Sequence, residues 1–406
     1  MIENKKFGVA TLATLSIILG LTSLIVSQYF FKKIQLSILV AVIVTGLVGS
    51  FHNLSNFYTA FFSTIGDLSF WKVMITIFSI FLLSELMKNS GDVDRFSANL
   101  QHIFMGSELI IAMVPALIGL LPMPGGAMFT APIVKEVGER LNIKSSKQMI
   151  ANYWFRHVME FFWPMYPAIV LLSAFAQKDV RQLFLYQAPF GILAFGLGIF
   201  FFITNKRLKF QKDGRKFFRL FYHIWPILTV IIFIFFFKIE GYLSVLIVAL
   251  LYGFMNFKVL KRSFLRSLKY DIFILFFLVF FYKSFLNVSG ISNEVPNEIY
   301  NLGISPLVLI PILPMISGFL TGVTQASIGM SFSAIAGIIA ITSHPLIGYI
   351  TAYFFGVFGV LLSPLHLCLI LTVEYYKVSF KTVYRLMLPI ISILMVVILV
   401  IWFSTM

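Results

Sequence analysis

Ionisable side chains are scarce in the apolar stretches of this chain, and those that occur are grouped. Arg156, His157 and Glu160 fall within one such stretch. Arg156 and Glu160 stand four apart, so on an α-helix they share a face and can pair, each easing the other's desolvation. One reading is therefore a structural ion pair inside a helix bundle. The other is chemistry, in which Arg156 receives an anion and Glu160 or the adjoining His157 carries a proton. His366 sits in a second apolar stretch, where Ser363-Pro364-Leu365-His366 interrupts it. It reads either as a hydrogen-bonded core histidine or as a contact for solute or proton. His157, Glu160 and His366 are the proton-coupling candidates.

Two further segments are rich in small and helix-breaking residues. Residues 119–132 read Gly-Leu-Leu-Pro-Met-Pro-Gly-Gly-Ala-Met-Phe-Thr-Ala-Pro, and residues 317–333 carry the hydroxyls of Ser317, Thr321, Thr324 and Ser327 beside Gln325. Neither suits one continuous helix. Irregular backbone at membrane depth has to be buried in protein or line a wet cavity, which points to two helix–turn–helix hairpins. Free amides at a hairpin tip favour an anion, and free carbonyls favour a cation. The candidate solute contacts are Pro124, Gly125, Gly126 and Thr130 in the first hairpin, and Asn152 and Arg156 in the stretch after it. In the second half they are Gly318, Thr321, Thr324, Gln325 and Ser327, followed by Ser363 and His366.

No enzyme is expected. The chain has no H-E-x-x-H, no G-x-S-x-G, no D-D-x-x-D and no phosphate-binding G-x-x-x-x-G-K-[ST] loop, so no catalytic residue is assigned. Asp92 and Asp94 read as a solvated helix start. The single cysteine, Cys368, excludes an intramolecular disulfide and any multi-cysteine metal site. No metal and no cofactor is expected beyond Na⁺ or H⁺ as a coupling ion.

The elements that must position these residues are membrane helices. Of 406 residues, 59% are hydrophobic and 12% charged, and the mean hydropathy is +0.95, whereas soluble domains are roughly half apolar and a quarter charged. Long continuous apolar runs such as 227–237 and 390–403 exclude a β-barrel, whose strands alternate. The expected fold is an all-α polytopic membrane protein with about ten transmembrane helices and two re-entrant hairpins. The first repeat, 1–204, holds spans 7–28, 34–50 and 71–88, hairpin 108–134, and spans 148–176 and 184–204. A basic linker, 205–219, follows. The second repeat, 220–406, holds spans 221–238, 241–257 and 270–288, hairpin 305–341, and spans 346–373 and 384–404. No small-x-small cleavage pattern follows Phe7–Val26, so that stretch reads as a retained span rather than a signal peptide.

The net charge of +15 reads as basic loops facing acidic lipid, not as a nucleic-acid footprint. Loops 205–219 and 258–269 are strongly basic and flank one helical hairpin, so both face the cytoplasm of a cell inner (plasma) membrane. With both broken segments re-entrant, most other Lys and Arg residues fall on the same side and both termini fall outside.

The halves also match each other. Tyr153 pairs with Tyr353, Phe155 with Phe355, Pro164 with Pro364 and Pro189 with Pro389, 200 residues apart. Upstream, Leu117, Gly119, Gly126, Phe129 and Ala131 pair with Leu320, Gly322, Gly329, Phe332 and Ala334, 203 apart. Five crossings per half put the second copy in inverted orientation, as in secondary transporters.

Paired Gly/Pro hairpins, each followed by a broken helix, resemble the ion transporter superfamily, which includes permeases for gluconate, citrate, C4-dicarboxylates and arsenite. The run Leu121-Pro122-Met123-Pro124-Gly125-Gly126-Ala127-Met128 resembles, more closely, an uncharacterised integral-membrane family of that superfamily, a domain of unknown function. The resemblance implies an elevator mechanism. Hairpins and broken helices would form the mobile transport domain, and the first three spans of each half a dimerising scaffold in a homodimer. Sodium-dicarboxylate members carry Ser-Asn-Thr at both tips. Here Pro124-Gly125-Gly126 and Thr324-Gln325-Ala326 stand there. The expected function is secondary active transport of a small anionic solute, coupled to Na⁺ or H⁺, with the bilayer and that solute as partners. A carrier of a lipid-like anion, a channel and an intramembrane enzyme are the alternatives weighed.

Overall fold

A computed structural model describes residues 3–49, 53, 55–103, 107–121, 126–203 and 214–405. These are helical, with no strand among the described residues. α1 (Glu3–Phe31) and α2 (Ile34–Gly49) pack on each other, and α3 (Ser55–Gly66) leads to α4 (Leu68–Asn89). Asp67 fixes the start of α4 by accepting from the Ser69 amide at 2.8 Å. α5 (Asp92–Ile103) is amphipathic. Asp92 is not solvated as expected: it is buried and accepts from His223 Nδ1 at 2.8 Å and from the Tyr252 hydroxyl. Two later helices thus hold the start of α5.

The first hairpin is α6 (Ile110–Ile118) followed by α7 (Gly126–Arg140). Residues 122–125, between them, lie outside the described residues. α8 (Ser145–Val158) ends in a 3-10 turn, Met159–Phe161, and the chain restarts as α9 (Pro167–Ala176). Pro164 has no amide to continue the ladder, and Pro167 occupies the first turn of α9, where none is needed. α10 (Val180–Phe202) starts earlier than the sequence suggests, capped by Asp179.

The second half opens with α11 (Gly214–Phe235), which takes in the C-terminal part of the expected basic linker. α12 (Gly241–Met255) follows. The expected basic loop 258–269 is mostly helix, α13 (Phe257–Ser267), with Lys258, Lys261, Arg262 and Arg266 interleaved with Phe257, Phe264 and Leu265, all three exposed. That pattern suits a helix lying along the membrane interface. α14 (Tyr270–Val288) carries Lys283, whose ammonium lies over the rings of Phe175 and Phe280, at 5.2 and 5.5 Å. α15 (Ile291–Asn301) bends by 115° into the stretch that becomes α16 (Leu309–Thr321). Its Glu298 is buried and accepts from the Ala13 and Thr14 amides of α1 at 3.2 and 2.6 Å. α17 (Thr324–Ala340) completes the second hairpin. The chain ends with α18 (Pro345–Leu362), α19 (Leu367–Tyr376) and α20 (Phe380–Ser404).

The same succession of elements stands 200 residues apart in the two halves. α9 and α19 begin at Pro167 and Leu367, and end in left-handed caps at Gln177 (φ 51°) and Lys377 (φ 53°). α10 and α20 follow from capping side chains at Asp179 and Ser379.

Large apolar side chains cover the outside. Leu250, Phe254, Val396, Val400 and Phe403 are all exposed, as lipid contact requires. Seven helices are long and apolar enough to cross a membrane, or eight when the bent 291–321 pair is one span. The chain is a multi-pass membrane protein. The expected count of about ten also takes in α2, α12 and the broken α8–α9 stretch, each shorter than that length test or interrupted.

Candidate functional site

The first half of the site is organised by Arg156, which is 4% exposed. Its guanidinium donates to the carbonyls of Gly119 and Leu121 at 3.4 and 3.1 Å, and to the Tyr166 hydroxyl. Tyr166 donates in turn to Gly119 O at 2.9 Å, and the Trp163 indole to Leu120 O at 3.0 Å. These carbonyls belong to the cap and turn that follow α6, where the helix ladder supplies no partner. A cation and two polar aromatic groups complete it. Gly126, the first residue of α7, closes on the same group: a Cβ there would lie 2.5 Å from Nη2 and 2.6 Å from Nε of Arg156. Both ends of the first hairpin therefore converge on one guanidinium.

The second half repeats the arrangement without a cation. His366 Nδ1 donates to Gly322 O at 2.8 Å, and Ser363 donates to Phe319 O at 2.6 Å. Tyr166 and His366 stand 200 residues apart, and the glycines they hold 203 apart. Gly322 has φ +65°, and a Cβ would lie 2.8 Å from His366 N, so glycine is required for both conformation and space.

The two halves meet at these breaks. Tyr153 donates to Leu361 O at 3.0 Å, and Tyr353 to Glu160 O at 2.5 Å. Each tyrosine thus reaches into the interruption of the other half's helix. Nε2 of His157 lies 3.1 Å from Nε2 of His366, and Glu160 Oε1 lies 3.9 Å from the same His157 nitrogen. Thr324 donates to Glu160 Oε2 at 3.4 Å. Glu160 turns to this junction while Arg156 turns to α6, because α8 ends at Val158 and Glu160 belongs to the 3-10 turn. The shared helical face expected from their spacing of four does not continue that far.

The remaining candidates are placed differently. Thr130 donates to Asn152 Oδ1 at 2.6 Å, and Asn152 donates to Ala127 O at 2.8 Å; both are fully buried and tie α7 to α8. Ser327 donates to Pro314 O at 2.9 Å, and Thr321 to Ser317 O at 2.8 Å. Gly318 lets α16 approach α18, since a Cβ would lie 2.3 Å from Gly356 O. Gln325 is half-buried. Pro124 and Gly125 lie outside the described residues.

Sequence reasoning passed over Tyr153, Trp163, Tyr166, Tyr353 and Cys368 as functional groups. The tyrosine pair and the repeated prolines were visible as matches, but nothing in the pattern showed what the hydroxyls reach. A cavity of about 420 Å³ opens beside Pro164, with Lys72, Lys178, Asp179 and Glu240 on its walls.

No curated protein matches this sequence. Among solved structures, the YdaH transporter of Alcanivorax borkumensis aligns over 88% of this chain and 87% of its own, at 13% identity and a TM-score of 0.53. At that identity the likeness is one of fold. Residues 14–404 match the sequence pattern of a protein family of unknown function, DUF401, and the chain belongs to that family.

Proposed function

We propose that this protein is a secondary active transporter moving a small anionic solute by an elevator-type alternating-access mechanism. The halves are read as inverted repeats. The hairpins and broken helices form the mobile transport domain. α1 to α4 and α11 to α14 form a scaffold that joins two copies as a homodimer in the cell inner membrane, with the basic stretches 205–219 and 258–269 cytoplasmic. The coupling cation is Na⁺ or H⁺.

The observation that carries this reading is the convergence of both ends of the first hairpin on the buried guanidinium of Arg156. A buried cation held beside a helix break and against the first hairpin suits transient binding of an anion. The likeness in fold to a transporter agrees with it. The solute contacts centre on Gly126, Arg156, Thr324 and Ser363, with Thr130 and Asn152 tying α7 to α8 beside them.

The test is uptake by the purified protein in proteoliposomes. The panel holds labelled hydroxycarboxylates, dicarboxylates and inorganic oxyanions under an inward Na⁺ gradient, an inward H⁺ gradient or neither. Saturable uptake that needs one gradient and is lost in Arg156→Gln supports the reading. Gradient-independent, non-saturating flux would replace it with a channel.

A further inference from the structure

The strongest unassigned feature is the chemistry gathered where the two broken helices meet. His157 and His366, 209 residues apart in sequence, bring their Nε2 atoms to 3.1 Å. Each ring's other nitrogen faces a backbone carbonyl: His157 Nδ1 lies 2.6 Å from Tyr153 O, and His366 Nδ1 lies 2.8 Å from Gly322 O. A carbonyl only accepts, so both Nδ1 atoms carry hydrogen, and in the neutral rings both Nε2 atoms present lone pairs. Two lone pairs aimed at each other repel unless something electrophilic lies between them. The sulfur of Cys368 completes the group, with the three donor atoms all within 4.8 Å of one another.

We propose that His157 Nε2, His366 Nε2 and Cys368 Sγ form a binding site for a borderline-soft divalent first-row metal ion of the Zn²⁺ class. Around a tetrahedral zinc, two imidazole nitrogens stand roughly 3.3 Å apart, from bond lengths of about 2.0–2.1 Å. The observed separation is within a few tenths of that. Metal-ligating histidines characteristically donate their second ring nitrogen to a carbonyl, which fixes tautomer and ring plane, and both rings here are held that way. Glu160, with Oε1 3.9 Å from His157 Nε2, stands beside the fourth position. A dication, one thiolate, one carboxylate and two neutral imidazoles sum to zero charge, the arrangement least penalised by burial. One ligand comes from the end of α8 and two from the start of α19, so a bound ion would staple the two halves together at their breaks. The inference does not depend on which solute is carried.

The test uses the full-length protein in detergent, stripped with a chelator and titrated with Co²⁺ as a spectroscopic stand-in. The expected result is a saturable visible d–d spectrum of tetrahedral intensity at one ion per chain, with a near-ultraviolet sulfur-to-cobalt band, both displaced by Zn²⁺. Cys368→Ser should remove the sulfur band and keep the d–d spectrum. His366→Gln should weaken binding by about tenfold or more. Cys368→Ser is nearly isosteric and tests the site even if a histidine variant fails to fold. Absence of any spectrum, or a spectrum unchanged in both variants, overturns the proposal.

Discussion

Replacing Arg156 with alanine separates what its guanidinium does for the fold from what it does for a solute. In the structure it donates to Leu121 O at 3.1 Å, to Gly119 O at 3.4 Å and to the Tyr166 hydroxyl. Gly119 O keeps the Tyr166 hydroxyl at 2.9 Å after the truncation, whereas Leu121 O loses its described donor. An orphaned buried carbonyl costs about 1–3 kcal/mol, and the space vacated by a long buried side chain adds about 1–3 kcal/mol, on the scale of large-to-small core changes. The expected loss is about 2–6 kcal/mol, expressed first as loosening of α6 from α8. Arg156→Lys keeps the charge but not the fork, so it should recover part of the stability and less of any anion affinity. The assays are thermal unfolding in detergent, hydrogen exchange across 110–121, and anion binding by the folded fraction. Arg156→Ala with unchanged unfolding and unchanged exchange at α6 would refute the structural half of this argument. Retained anion affinity in folded protein would remove Arg156 from the solute site.

Other outcomes follow from the packing. Gly318→Ala places a methyl 2.3 Å from Gly356 O and 3.0 Å from Val360 N, both backbone atoms that cannot rotate away, so unfolding should show a loss of about 1–3 kcal/mol. Gly196→Ala, where nothing lies within 4 Å, should be neutral or stabilising on the scale of helix propensity, about 1 kcal/mol. Glu298→Ala should raise hydrogen exchange at the Ala13 and Thr14 amides that the carboxylate now serves; unchanged exchange would show that α1 does not rely on it. Cysteines at 279 and 329, where Val279 touches Gly329, should arrest transport when bridged in a Cys368→Ser background, since that contact would join the proposed scaffold to the proposed transport domain. Undiminished uptake after complete bridging would count against that division.

The sequence matches between halves were legible because helix breaks carry strong local signals. Pro164 and Pro364, spaced by 200, mark interruptions that the structure places before α9 and α19. Short or polar helices were not legible: α3, α5, α13 and α15 lack a span's length and hydropathy, and α13 in particular reads as a basic loop because four of its residues are Lys or Arg. Spacing alone cannot locate where a helix stops: one 3-10 turn carries Glu160 off the helical face that its spacing from Arg156 suggests. Contacts of long sequence separation, such as His157 with His366 or Asp92 with His223, leave no mark in composition or periodicity. Only the tertiary fold brings them together.

Those long-range contacts bear on how such a molecule can move. Alternating access by rocking one half against the other would have to break the bonds that cross between halves: Tyr153 to Leu361 O, Tyr353 to Glu160 O, and Thr324 to Glu160. Each is buried or nearly so, where an unmade hydrogen bond costs about 1–3 kcal/mol. Motion of both hairpins with both broken helices as one body keeps all of them. Such motion would slide along surfaces that include the one between α14 and α17, where Val279 meets the bare backbone of Gly329 and the contact is apolar. Such a surface exchanges one set of dispersion contacts for another at little net cost. These cross-links are what the proposed rigid transport body would keep and two rocking halves would lose, independently of what the body carries.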